Sequence, residues 1–185
     1  MKKQGKQERS RWKTEGILGF YENFPQTIHR MARFSVSFST RKLQQVLIET
    51  FRKMNTKTYN IEDLASPSVP ACTVDLEFGI AEGKGFNYVD QEETDRTLQA
   101  IQEKPLRIMD FLCALRYHRT QGKERTALRF DYFMLRLAFK EGLMEMRILH
   151  ERGPRHVEPQ DLMRLVADEI NQACKKKALK MLDLA

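Results

Sequence analysis

Apolar and polar residues alternate with a period of two along three consecutive stretches in the second half of the chain. Successive side chains of a β-strand point to opposite faces, so this alternation is typical of strands with one buried face. The stretches are 106–119, 127–139 and 143–150, and short polar turns containing glycine separate them. Because short turns join consecutive strands as antiparallel neighbours, the pattern predicts a three-stranded meander.

Similar alternation occurs earlier in the chain. In residues 33–38 aromatic and aliphatic side chains alternate with arginine and serine, and in residues 73–80 they alternate with threonine and carboxylates. The stretch 86–89 follows a glycine-containing turn and is expected to pair back on the strand before it as a hairpin. The apolar stretch 17–24 predicts a short edge strand or a packed loop.

Three stretches show the spacing of an amphipathic helix. The first covers residues 41–54, after a serine and a threonine that can cap its first turn. The second begins at Asp90 and ends before Pro105, and the third opens at Pro159. Because each predicted strand has one apolar face, we predict an α+β two-layer sandwich: a mostly antiparallel sheet of about five or six strands with helices packed on one face.

Positive charge is concentrated at the two ends of the chain. The net charge is +7, with six basic residues against one acidic residue in 1–13 and four against one in 175–185. The low hydrophobicity of 1–13 predicts a disordered basic arm. Residues 14–185 are predicted to form a single α+β domain that ends in a long helix with a basic end. Such terminal charge either binds a polyanion or only keeps the chain soluble.

Composition excludes several classes of protein. No apolar run approaches the roughly 18 residues of a membrane-spanning helix, and no segment resembles a secretory signal, so we expect a cytoplasmic protein. The three cysteines, Cys72, Cys113 and Cys174, fit neither a disulfide framework nor a zinc pattern and are interpreted as buried thiols. No metal site or other cofactor is expected.

Arginine dominates the basic residues of the meander, providing ten of the twelve between residues 105 and 174. Guanidinium groups bind phosphate bidentately, and aromatic residues alternate with arginine in 116–119 and 129–132, which suits single-stranded nucleic acid. Alternatively, Phe130 and Tyr132 belong to the core and the arginines form ion pairs on a solvated face.

Two such ion pairs follow directly from the alternation. Arg129 with Asp131, and Arg147 with Glu145, would share one face of a strand.

We interpret the chain as a non-catalytic protein that binds nucleic acid, RNA in preference to DNA, or a nucleoprotein. The basic ends, the arginine-rich sheet and the basic loop 152–156 are the expected contact surface. The predicted binding residues are Lys2, Lys3, Lys6, Arg9, Arg11, Lys13, Arg116, Arg119, Arg129, Arg152, Arg155, Lys175, Lys176 and Lys177.

An alternative is a protein-interaction subunit or adaptor of a larger intracellular complex. Met134, Met144 and Met146 are flexible apolar residues of the kind found at adaptable interfaces, although the last two continue a core alternation with Ile148.

The less favoured alternative is a metal-dependent phosphodiester hydrolase. Asp75, Glu77 and Asp131 could form a carboxylate set for magnesium, and His118 could approach His150 across the meander. No motif for a phosphate-binding loop, a zinc site or a covalent nucleophile appears in the sequence, so a binding protein is favoured over an enzyme.

Overall fold

The computed structural model describes residues 16–19, 21, 24–25, 28–65, 71–82, 85–121 and 123–185. The predicted arm, 1–13, lies outside them. The strands are β1 (Ile17–Leu18), β2 (Arg30–Val36), β3 (Thr58–Asn60), β4 (Thr73–Glu82), β5 (Gly85–Tyr88), β6 (Ile108–Gln121), β7 (Glu124–Lys140), β8 (Leu143–Arg152) and β9 (Leu179–Leu184). The helices are α1 (Thr40–Met54), α2 (Ile61–Leu64), α3 (Gln91–Glu103) and α4 (Pro159–Ala173). Within the described ranges, no helix is long and apolar enough to cross a membrane.

These strands form one sheet whose main order is β3-β4-β6-β7-β8-β2-β9, with β5 paired to β4 and β1 paired to β6. All pairings are antiparallel except that between β1 and β6. The predicted α+β class and the three-stranded meander are confirmed. In the part of the chain that the structure describes the sheet has nine strands, so the expectation of five or six was wrong. Strand β1 lies within 17–24, for which a short edge strand was one of the two predicted outcomes. Strand β3 was missed because it is only three residues long, and β9 was missed because this part of the chain was expected to continue the last helix.

One face of the sheet packs against α1 and α4. The central strands contribute Leu76, Phe111, Leu135 and Met146 to this face, and all four side chains are fully buried. Phe51 of α1 stacks on Phe78 of β4 with ring centroids 4.1 Å apart. The alternation that predicted these strands is therefore the alternation that builds the core.

The predicted helix starts are confirmed. The Ser39 hydroxyl accepts a hydrogen bond from the backbone N–H of Lys42 at 3.3 Å, and Asp90 accepts one from Glu93 at 2.9 Å. Pro159 occupies the first turn of α4, where its missing N–H costs nothing.

The simple two-layer arrangement is not what the structure shows. Helix α3 packs mainly against α1, where Arg41 Nε donates to the carbonyl of Ile101 at 3.3 Å. On the sheet face opposite α1, the ring of Phe24 lies under the guanidinium of Arg136, 4.3 Å from its centre. Phe24 thus covers part of the face that was expected to be solvated.

The prediction that the chain ends in a long helix was wrong. Helix α4 ends at Ala173, Lys175 takes a positive φ of 53°, and the chain reverses into β9, which pairs with β2. The Asn171 side chain holds this return by bonding both the N–H and the carbonyl of Leu179, at 2.8 and 3.0 Å. Lys175, Lys176 and Lys177 therefore lie in a turn within the folded domain.

Candidate nucleic-acid interface

Arginines and aromatic rings lie next to each other across three strands, on the sheet face away from α1 and α4. Arg116 of β6 is paired with Phe130 of β7, and Tyr132 is paired with Arg152 of β8. The guanidinium of Arg116 lies 5.1 Å from the ring centroid of Phe130, and that of Arg152 lies 4.3 Å from Tyr132. The two rings are nearly parallel, at 16°, with centroids 6.0 Å apart. We name these four residues the Arg–aromatic ladder.

The ladder rings are half-buried members of the outer face, so the alternative that places Phe130 and Tyr132 in the core is wrong. Asp131 and Phe133, which alternate with them, face the helices instead and are fully buried. An irregularity in the β6–β7 register between Arg116 and His118 separates this part of β7 from the hairpin beyond it. Alternation alone could not show which of the two sets faces inwards.

The hairpin formed by β6 and β7 extends past its neighbours. Pairing with β4 stops at His118 and pairing with β8 stops at Tyr132, whereas β6 and β7 pair with each other as far as Gln121 and Glu124. The expected turn at 121–126 is therefore shorter, because residues 123–129 are exposed to solvent, where a largely polar strand can continue. Residues 116–129 carry five basic side chains and one acidic side chain, Glu124.

Two of these basic side chains are neutralised on the sheet face. Arg116 pairs with Glu77 at 2.7 Å, and Arg125 pairs with Asp75 at 2.9 Å. Hydrogen bonds from Arg125 and Thr58 lower the pKa of Asp75, although its partial burial acts in the opposite direction. The ion-pair interpretation of the arginine-rich sheet is thus confirmed for these residues.

The two ion pairs named from the sequence differ in outcome. Arg147 bonds Glu145 at 2.5 Å, as predicted. The pairing of Arg129 with Asp131 is wrong, because Asp131 turns to the helix-facing side and is fully buried there.

Among the described residues, three exposed basic side chains of the hairpin have no ion-pair partner. They are Arg119, Lys123 and Arg129, and they lie at the protruding end of the sheet. Arg152 of β8 likewise has no ion-pair partner there and contacts only the ring of Tyr132.

A buried carboxylate lies directly behind the ladder. Asp131 Oδ2 accepts hydrogen bonds from the Tyr117 hydroxyl at 2.5 Å and from the backbone N–H of His156 at 3.1 Å. Its Oδ1 accepts one from the backbone N–H of Arg155 at 2.7 Å and lies 2.7 Å from His150 Nε2. Burial and the bond to Asp131 raise the pKa of Tyr117 well above its usual range, so the phenol stays protonated. We name these groups the Asp131 network.

The Asp131 network was missed by sequence reasoning. It also holds the basic loop 152–156, where Arg155 pairs with Glu158 at 2.8 Å. A carboxylate between two aromatic residues, followed later by Gly153 and Pro154 at a strand end, was the one available signal.

The proposed carboxylate set for magnesium does not assemble. Asp75 and Glu77 lie on the outer face in ion pairs with arginine, whereas Asp131 lies on the helix-facing side. Within the described part of the chain, no group of three or more His, Cys, Asp and Glu side chains is arranged to hold a metal ion.

The expected approach of His118 to His150 is also wrong. His118 is on the outer face, with Nε2 at 3.2 Å from Asp75, and His150 faces the helices beside Asp131. Burial and the nearby charge of Arg125 lower the pKa of His118. The two imidazoles therefore belong to separate environments.

The basic end of α4 is far from the ladder. Lys176 Nζ lies 4.1 Å from the ring centroid of Phe38. Phe38 comes just after β2, whose last residues pair with the first residues of β8, whereas Arg152 is the last residue of β8. The 15 residues of α4 separate this turn from the loop at Arg155, a length of about 22 Å at the usual helical rise. The structure brings Arg116, Arg119, Arg129 and Arg152 to one end of the sheet and puts Lys175, Lys176 and Lys177 at the other. The predicted residues Lys2, Lys3, Lys6, Arg9, Arg11 and Lys13 lie outside the described residues.

The cysteines and two of the methionines differ in how deeply they are buried. Cys113 is fully buried, which raises the pKa of its thiol well above the ordinary value, and Cys72 and Cys174 are half-buried. Met144 and Met146 are fully buried, as the alternation predicted.

Comparisons of the chain with protein-family models, with curated proteins and with solved structures find no match.

Proposed function

We propose that this protein binds single-stranded nucleic acid, RNA in preference to DNA, without catalysing a reaction on it. The observation that carries the proposal is the Arg–aromatic ladder. Bases of a single strand stack on aromatic rings and on guanidinium planes, and the ladder offers two of each on an uncovered stretch of sheet. A base held within a duplex cannot reach such a surface, so an unpaired strand is the better fit.

The unpaired basic residues of the hairpin would contact the phosphates. Among the described residues, Arg119, Lys123 and Arg129 have no carboxylate partner to leave when they bind an anion, in contrast to Arg125, which would have to give up Asp75. The basic residues of 1–13 and of 175–177 add auxiliary phosphate contacts in this proposal.

The test is fluorescence anisotropy of a labelled 12-nucleotide RNA over a salt series, with DNA of the same sequence and a duplex for comparison. We expect binding that weakens steeply with salt. The double variant Arg119→Gln/Arg129→Gln should bind more weakly, with a log–log salt slope smaller by about 1.4, since each phosphate contact to a single strand contributes about 0.7.

The matched control is Lys53→Gln/Lys140→Gln, which removes the same charge from exposed sites away from the ladder. It should leave the slope unchanged. Equal losses of affinity in the two double variants would show that only net charge matters, and would contradict a specific role for Arg119 and Arg129. No binding by the native chain at low salt would refute the proposal.

A protein-interaction subunit is the second candidate. One observation favours it: Leu182 and Leu184, on the sheet's edge strand β9, are 55% and 39% exposed. An apolar interface should resist salt, whereas phosphate binding should not. A salt-insensitive complex that Leu182→Ser abolishes would support this second function.

A further inference from the structure

We infer that Asp131 is a positioning residue for the Arg–aromatic ladder, holding its arginines and rings in register from the opposite side of the sheet. This inference rests on the proposed function, since the ladder is the proposed contact surface.

Each part of the ladder is adjacent in sequence to a group that contacts Asp131. Tyr117, which donates to Oδ2, directly follows Arg116 of the ladder. Asp131 itself separates the two ladder rings, Phe130 and Tyr132. One buried carboxylate is thus connected to β6 and β7, two of the three strands that carry the ladder.

The third connection runs through the loop after Arg152. A Cβ atom at Gly153 would lie 2.4 Å from Asp131 Oδ1 and 2.3 Å from the carbonyl oxygen of Phe130, so only glycine permits this approach. Two residues further on, Arg155 has a positive φ of 56° and gives its N–H to Asp131. The loop is therefore folded tightly onto the carboxylate, and this fixes where β8 ends.

The point where β8 ends decides where the last ladder arginine lies. The register between β7 and β8 shifts between Tyr132 and Phe133, so that Arg152 is opposite Tyr132 while His150 is opposite Phe133. His150 is itself held, because Nε2 contacts Asp131 and its backbone N–H is bonded to His29 Nδ1 at 2.9 Å. Asp131 therefore holds the shifted register through the His150 side chain and through the loop backbone at Arg155 and His156, alongside the Arg155–Glu158 ion pair.

Asp131→Asn is the sharpest probe because it changes charge and donor pattern with almost no change in size. Each carboxylate oxygen receives one backbone N–H, from Arg155 on Oδ1 and from His156 on Oδ2. In either orientation the amide NH₂ would meet a backbone donor, so one of the two loop hydrogen bonds must be lost. Tyr117→Phe is the milder probe, since it removes a single donor and leaves the loop bonds in place.

The experiment measures affinity for the same labelled 12-nucleotide RNA at a temperature at which circular dichroism shows every variant to be folded. We expect Asp131→Asn to bind about tenfold more weakly and Tyr117→Phe about threefold, because base stacking is worth 1–3 kcal/mol per base. The salt slope should not change, since no phosphate-contacting cation is removed. Trypsin should cleave Asp131→Asn faster after Arg152 and Arg155.

Leu137→Ala is the control for general destabilisation, because Leu137 is fully buried in the same strand and contacts neither the ladder nor the loop hydrogen bonds. It should keep native affinity and native trypsin resistance at Arg152. If Asp131→Asn binds as tightly as the native chain, or no more weakly than Leu137→Ala, the positioning role is overturned while the proposed function stands. If the native chain does not bind RNA, both fail together. If Asp131→Asn does not fold, Tyr117→Phe alone decides, and native affinity in that variant overturns the role.

Discussion

The same three kinds of group, an arginine, a carboxylate and an aromatic ring, meet twice on one face of the sheet, with different consequences. In the first region Arg136 pairs with Asp110, and Phe24 covers the guanidinium; the Asp110 side chain is 0% exposed. In the second, Arg116 pairs with Glu77 beside Phe130, and the two charged side chains are 39% and 28% exposed. The two regions have the same chemistry, and they differ in how much of the ion pair is shielded from solvent.

The difference shows how a count of arginines can mislead. A covered pair is held because separating it would leave a buried charge. An uncovered pair contributes little to stability, and its members can exchange partners with a ligand. The first region therefore belongs to the fold, whereas the second is available for binding.

The largest expected effect is a difference in the free energy of unfolding between variants of the two ion pairs. Arg136→Met leaves Asp110 buried without its partner and should lower the free energy of unfolding by about 3–5 kcal/mol. Arg116→Met leaves Glu77 at the surface and should cost under about 1 kcal/mol. Urea denaturation of both variants measures the two losses, and equal losses would contradict the distinction between covered and uncovered regions.

A second pair of variants separates the regions by affinity. Tyr132→Ala removes a ring of the uncovered region and should weaken RNA binding by about 1–3 kcal/mol, or roughly 5- to 150-fold. Phe24→Ala removes a ring of the covered region and should leave the affinity unchanged while lowering stability. Anisotropy and thermal unfolding on both variants would show this crossed pattern; a loss of affinity in Phe24→Ala equal to that in Tyr132→Ala would be the contrary result.

The smallest expected effect is a pH dependence near the Asp131 network. Burial, and then the charge of Arg155 and proximity to His150, lower the pKa of His29 below its ordinary value. The folded protein thus binds fewer protons at His29 than the unfolded chain does. Its contribution to stability is complete above about pH 6.5 and decreases as the pH falls from there through the folded pKa.

Acid should act on a specific bond, because Nδ1 of neutral His29 accepts the N–H of His150. Thermal unfolding between pH 7.5 and 5 should show a fall in midpoint of a few degrees, and His29→Gln should flatten it. His118, whose pKa is lowered too, contributes in the same direction from the uncovered region. A midpoint that rises on acidification would show that other groups dominate.

Much of the fold could be predicted because its strongest signals are local. The strands of the meander, the caps at Ser39 and Asp90 and the opening of α4 at Pro159 all depend on residues close together in sequence. The short strands β3 and β9 could not be predicted in the same way. Their pairing is provided by β4 and β2, which are distant in the sequence.

The candidate site was only partly predictable for the same reason. The arginine-rich stretches around Arg116 and Arg129 were identified, but the partners of Arg116 and Arg125 were not, since Glu77 and Asp75 come from β4, which is distant in the sequence. Asp131 was assigned to the wrong face, because alternation gives two sets of side chains and does not say which is buried.

The sequence by itself determined the class of the fold, the two-residue period of its central strands and the positions of its three longer helices, because these follow from local patterns of polarity and capping. Only the tertiary structure decided which arginines are neutralised, that Asp131 faces inwards, and that Lys175–Lys177 lie at the opposite end of α4 from the loop at Arg155, a helix length of about 22 Å. These features depend on which elements become neighbours, and that is set by packing of the whole chain, not by any one stretch of it.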